Sequence, residues 1–208
     1  MQAIDLLLQR RSAKVLTEPG PDDGALALLL ESAARAPDHG RLRPWRFIVI
    51  RGAARERFGE LMAERLRRVR PASTPEALAR ERQKAFRAPV IIAVAAVCDP
   101  KAKVPQIEQV LSAGSAAGYV LLAARALGFN AVWKTGAAAY DETIKSELGL
   151  EGNDSIVAFV YVGTEAPEDS APPARRQWRD RVLMWDGRGP ADQGGIPPQS
   201  QGDGAPGG

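Results

Sequence analysis

The sequence predicts an α+β layer fold, and three observations carry that reading. Six helical stretches and four short apolar runs follow one another as helix, helix, strand, helix, helix, strand, helix, strand, helix, strand. Apolar residues make up 45% of the 208, and a chain of this length buries roughly 70% of its unfolded surface without disulfide or metal staples. Glycine and proline are concentrated at one end, where residues 187–208 hold eight of the 20 Gly and four of the 16 Pro. The body therefore has a globular composition, and the end reads as a disordered tail.

Taken in order, residues 2–9 place Ile4, Leu7 and Leu8 on one helical face. Asp22 and Asp23 are capping candidates for a second helix, which carries Leu26, Leu28, Leu29 and Leu30 toward Pro37. After Pro44 the run 47–50 reads as a strand closed by Gly52. Residues 53–68 are helical and heavily charged, with Phe58, Leu61, Met62 and Leu66 as the buried stripe. Ser73 and Glu76 stand at capping-box spacing around Pro75 and open a helix that ends before Pro89. The run 90–97 is continuously apolar, as in a strand buried on both faces. The longest helical pattern, 105–127, stops at Gly128, which suits a left-handed cap. Its middle, Ala-Gly-Ser-Ala-Ala-Gly at 113–118, lets another backbone come close and places this helix at the centre of the molecule or of a dimer. Residues 129–133 and 156–162 are the remaining strands, and Asp141 caps a short helix ended by Gly149.

A formal charge of +3 from 28 basic and 25 acidic side chains is too mixed to argue for nucleic-acid binding. The arginines between 55 and 87 are interleaved with Glu56, Glu60, Glu64, Glu76 and Glu81, which favours a solvated surface or an active-site cover. One cysteine, Cys98, excludes an internal disulfide, and with a single histidine no protein-built metal site is expected. The start, MQAIDLLLQRRS, carries an acid inside its apolar run and no basic region ahead of it, unlike a signal peptide. No stretch reaches the roughly 18 apolar residues of a membrane span. The expectation is a cytoplasmic protein with no membrane or nucleic-acid partner.

Three constellations could carry chemistry. Arg10, Arg11 and Ser12, with Lys14 close by, gather three cations and a hydroxyl that can neutralise and hydrogen-bond a phosphate. By themselves they read more readily as a solvated helix end. Arg35-Ala36-Pro37-Asp38-His39-Gly40, followed by Arg43-Pro44-Trp45-Arg46, puts the histidine in a loop between helix and strand, where binding groups concentrate. Alone, that histidine is a surface residue and Trp45 a core anchor. The third is the segment 128–136, Gly-Phe-Asn-Ala-Val-Trp-Lys-Thr-Gly, whose strand end could meet the polar edge of a heterocycle, with Lys134 as a cation. No G-x-G-x-x-G motif and no P-loop is present.

In this order and spacing the three constellations resemble the FMN-dependent nitroreductase family, from the start to about Gly163. The shared features are Arg10-Arg11-Ser12 with a basic residue at 14, Ala36-Pro37 followed by Pro44-Trp45-Arg46-Phe47-Ile48-Val49-Ile50, and the small-residue helix leading through Gly128 to Trp133. Arg35-Ala36-Pro37-Asp38-His39 and Arg87-Ala88-Pro89 look most like its compact YdjA-type branch.

The resemblance implies an α+β sandwich with a central mixed β-sheet flanked by helices, a homodimer through the long helix, and FMN in two shared sites. Arg10, Arg11 and Ser12 would hold the FMN phosphate. Arg35 and His39 would reach the flavin from the partner chain, and Trp133, Lys134 and Thr135 would line the ring. Residues 123–128 correspond to a segment ascribed to the nicotinamide cofactor, although packing also accounts for them. The implied activity is ping-pong transfer of electrons from NAD(P)H to a nitroaromatic, quinone or similar acceptor, and no side chain is required as a catalytic residue. A non-catalytic FMN carrier or sensor is the alternative.

Gly40-Arg41-Leu42-Arg43 departs from the Asn and Gln that many members carry before Pro-Trp, adding positive charge that favours either the anionic reduced form of the flavin or acidic substrates. The expected domains are 1–164 for FMN binding, 165–186 as an arm on the partner subunit, and 187–208 as the tail. In the arm, Trp178, Val182, Leu183, Met184 and Trp185 are apolar, and Arg175, Arg176, Arg179 and Arg181 are further candidate phosphate ligands.

Overall fold

The computed structural model describes residues 2–166, 181–185 and 187. Its first unit, up to Asp169, contains the whole sandwich. The helices are α1 (Ala3–Gln9), α2 (Asp23–Ala33), α3 (Ala54–Val69), α4 (Pro75–Gln83), α5 (Gln106–Ala126) and α6 (Glu142–Glu147). The strands are β1 (Leu16–Thr17), β2 (Trp45–Arg51), β3 (Val90–Ala96), β4 (Asn130–Lys134) and β5 (Ser155–Glu165). All ten expected elements are present in the expected order, and the two-residue β1 is added.

Local chemistry sets most boundaries. The Asp22 carboxylate accepts the N–H of Ala25 and caps α2, and Asp141 does the same for α6 through Ile144. Gly128 follows α5 at φ 87°, in the left-handed region that the absence of a Cβ permits. At α4 the cap is Thr74 rather than Ser73, because Thr74 is the residue directly before Pro75 at the first helical position and its hydroxyl accepts from Ala77. The Ser73 hydroxyl instead donates to the Arg70 carbonyl.

β3 is the centre of the sheet and pairs with β2 on one side and β5 on the other. β5 also pairs with β4, and its last residues pair with β1. Every pairing among the described residues is antiparallel, which corrects the expected mixed sheet. The helix pair α3 and α4 returns the chain to the end of the sheet it left, so that Arg51 of β2 lies opposite Val90 of β3 and the strands run in opposite directions.

Each face of the sheet carries its own core. Phe58, Leu61 and Met62 of α3 and Ile144 of α6 cover Ile91, Ala93, Phe159 and Tyr161. Leu26 and Leu29 of α2 and Ala113, Ala116, Ala117 and Val120 of α5 cover Ile92, Val94, Ala158 and Val160. Both faces of β3 are buried along its length. The small residues of α5 are thus what lets it lie closely on the sheet.

α5 is, by length and composition, apolar enough to cross a membrane, with mean hydropathy 1.3, contrary to the expectation that no stretch is. One of its faces lies on the sheet core, while Ile107 and Leu111 are 62% and 61% exposed. No residue of α1 is buried, and Ile4, Leu7 and Leu8 are all exposed.

β5 extends through Glu165, one residue into the expected arm. Farther along, Leu183, Met184 and Trp185 are exposed. Residues 167–180 and 186 of the arm, with Trp178, Arg175, Arg176 and Arg179, lie outside the described residues, as does the tail beyond Gly187.

Candidate functional site

A cleft of ≈ 160 Å³ opens between α3, the end of α4 and the strand edge at β4. Strand alternation decides which residues face it. Lys134 lies opposite Phe159, and Val132 opposite Tyr161, so these side chains share the α3 side of the sheet. Phe58, Met62 and Phe159 form an apolar floor, with the Phe58 and Phe159 rings 5.1 Å apart. Lys134, Thr135 and Gly136 form one wall, and Arg65, Glu81, Lys84, Arg87 and Tyr161 complete the lining.

The cleft is basic. Lys84 is paired with Glu81, and Arg65 Nε lies 3.8 Å from Asp141 Oδ2. The side chains of Lys134 and Arg87 make no ion pair or hydrogen bond among the described residues. Burial pushes the Tyr161 hydroxyl up to about 12, with Arg87 pulling it down and Glu81 adding to the rise.

The sequence-expected residues do not all meet in this cleft. Lys134 and Thr135 line it. Trp133, opposite Val160, sits on the other face of β4, toward α5. Arg10, Arg11 and Ser12 precede Ala13, whose N–H donates to the Ala131 carbonyl of β4 at 3.3 Å. They stand beside the same strand, with Ala131 and Lys134 about 10 Å apart along it. The Arg11 guanidinium meets both carboxylate oxygens of Glu165, whereas the Arg10 and Ser12 side chains have no partner among the described residues.

Arg35 lines a separate open depression of ≈ 430 Å³ together with Arg41, Arg43 and Trp45. Arg41 and Arg43 adopt positive φ, 55° and 51°, and the Asp38 carboxylate accepts the N–H groups of Leu42 and Arg43 to hold this turn. Nδ1 of His39 is 2.6 Å from Glu108 Oε2 near the start of α5. In the segment 123–128 the core holds Ala124, and Leu127 and Gly128 are exposed. Cys98 is half-buried, and burial raises its thiol.

Sequence reasoning missed Arg65, Lys84, Arg87 and Tyr161 as cleft residues. For the three cations a signal existed, because the interleaved charges of 55–87 allow an active-site cover. Tyr161 gave none, since it sits in an apolar strand run that reads as core.

The model of the nitroreductase family matches residues 7–164. The chain is 40% identical over 164 residues to the "Putative NAD(P)H nitroreductase YdjA" of Escherichia coli strain K12, a match spanning 79% of this chain and 88% of that protein. Among solved structures it is similar to a nitroreductase-like family protein from Bacillus cereus, with TM-score 0.73 and 22% identity over 90% of this chain and 97% of that one. It is also similar to a Desulfovibrio desulfuricans "putative nitroreductase in complex with FMN", with TM-score 0.68 and 27% identity over 88% and 95% of the two chains.

Proposed function

The chain belongs to the nitroreductase family, and on that premise we propose that it is an FMN-dependent oxidoreductase. It carries electrons from NAD(P)H to a nitroaromatic, quinone or similarly electron-poor acceptor, by a ping-pong cycle and as a homodimer. The observation that carries the reading is the placement of Lys134 and Thr135 in a basic cleft with an apolar floor, beside the strand that Arg10 and Ser12 flank. A similar structure from D. desulfuricans holds FMN.

The residues present fit that group. Phe58, Met62 and Phe159 offer apolar surface to a flat ring, and Lys134, Lys84 and Arg87 offer cations to its electron-rich edge. A Cβ built on Gly136 would meet nothing within 4 Å, so the backbone there is open to close approach. Arg10 and Ser12 would bind the phosphate through charge-assisted hydrogen bonds, while Arg11, fixed by Glu165, would set the course of the chain between them. Bound FMN supplies the redox chemistry, taking electrons from the nicotinamide and passing them to the acceptor. The protein contributes orientation, charge and exclusion of water.

Support for the dimer comes from the exposed apolar stripe of α5 at Ile107 and Leu111 and the exposed Ile4, Leu7 and Leu8 of α1. Apolar side chains gathered on helix faces in this way suit a second copy of the chain. That arrangement would bring Arg35 and His39 to the partner's flavin. The test is reconstitution with FMN followed by anaerobic addition of NADH or NADPH and then an acceptor. Bleaching followed by reoxidation is expected; bound flavin that neither nucleotide bleaches would instead mark a carrier or sensor.

A further inference from the structure

Tyr161 lies within an apolar run of β5, yet its side chain lines the cleft. The residue is 4% exposed, and its hydroxyl makes no hydrogen bond among the described residues. That hydroxyl is not among the fully enclosed polar atoms that lack a partner, so although the ring is buried the O–H keeps contact with the cleft, where a ligand atom can take the place of water as its partner. Around the cleft that this residue lines stand the apolar side chains of Phe58, Met62 and Phe159, with Lys134 and Arg87 among the polar groups.

The three apolar side chains suit the face of a flat ring, and a donor at the wall suits a heteroatom on the ring's edge. A phenol is protonated at neutral pH in any case and burial raises it further, so the group available there is an O–H donor. The nearby carboxylate of Glu81 is already engaged by Lys84.

We infer that Tyr161 is a further binding residue for the flavin, its hydroxyl donating a hydrogen bond to a heteroatom on the polar edge of the ring. This rests on the cleft being the flavin site, as proposed above. In the empty protein the hydroxyl faces the cleft and has no protein partner among the described residues, so its removal should be felt when the ring is bound and not in the apo-protein.

The test compares full-length wild type with Tyr161→Phe, which keeps the ring and removes only the hydroxyl. FMN is titrated into each apo-protein, with flavin fluorescence and the visible absorption band as readouts, and the Tm of each apo-protein is measured. The expected result is an unchanged apo Tm, an FMN Kd raised about 3- to 10-fold, the worth of one hydrogen bond, and a shifted absorption band. Wild-type affinity and spectrum in the variant would overturn the inference alone. A lowered apo Tm, or failure to fold, would assign the hydroxyl a structural role and overturn it as well. If wild type itself takes up no FMN, the flavin reading falls, and this inference with it.

Discussion

Arg11 and Glu165, 154 residues apart in sequence, are joined by two parallel hydrogen bonds, Nη1 to Oε1 at 2.5 Å and Nη2 to Oε2 at 2.8 Å. Glu165 Oε2 also accepts from Asn130 Nδ2 at 2.8 Å. The three side chains clasp the segment after α1 to the start of β4 and the end of β5. Replacing Glu165 by Ala leaves a partly buried guanidinium and an amide without this partner, and should lower stability by about 1.5–3 kcal/mol. Urea denaturation of the apo-protein measures the loss.

Arg10 and Ser12 should behave in the opposite way. Their side chains have no partner among the described residues, so Arg10→Ala or Ser12→Ala is expected to leave the apo Tm unchanged. Each should raise the FMN Kd, Arg10→Ala by about tenfold, as one lost charge-assisted hydrogen bond would. Flavin affinity unchanged in both variants would place the phosphate elsewhere.

Gly59 of α3 faces the backbone of Arg82 so closely that an added Cβ would lie 2.9 Å from its carbonyl oxygen. Gly59→Ala must push the end of α4 outward, at a cost of about 1–3 kcal/mol. The segment displaced leads into Lys84 and Arg87, so FMN affinity should fall together with Tm. A variant with wild-type values of both would contradict this packing.

Asp141 supplies a pH-dependent contribution. Burial alone would raise its carboxyl, but hydrogen bonds from Arg68 and the Ile144 N–H, with the charges of Arg68 and Arg65, hold it below the usual carboxylate value. A depressed folded-state pKa gives stability that is present above the unfolded value of about 3.9 and is lost as pH falls through the folded one. Asp141→Asn keeps a capping side chain but removes the charge. It should cost about 1 kcal/mol at pH 7 and progressively less as the pH falls below about 4, as read from unfolding curves at both ends.

The stripe on α5 gives a prediction for assembly. Leu111→Glu places a charge among exposed apolar side chains and should convert a dimer into a monomer in sedimentation velocity. Loss of FMN retention in the same variant is expected if the site is shared between subunits. A dimer that survives the substitution would move the interface elsewhere.

Element order is legible in the sequence because helix and strand periods and the caps at Asp22, Asp141 and Gly128 are local properties of the chain. The antiparallel pairing is not, since it depends on where the α3 and α4 pair returns the chain. Strand alternation at 133 and 134 puts Trp133 and Lys134 on opposite faces, so two neighbours in one motif serve different surfaces. Lys84 and Arg87, cations that line the cleft with Lys134, lie about 50 residues earlier, and only folding brings them to it. The pairing of Arg11 with Glu165 is not legible either, since the carboxylate lies at the far end of the sandwich sequence. Tyr161 is hidden by its apolar neighbours.

The most direct measurement is the visible absorption spectrum of the FMN-saturated, desalted protein before and after anaerobic addition of NADH or NADPH. A retained flavin band that one of the nucleotides bleaches, and that a nitroaromatic or quinone restores, is the predicted result. Loss of all flavin on desalting, or a retained band that neither nucleotide bleaches, would contradict an FMN-dependent oxidoreductase.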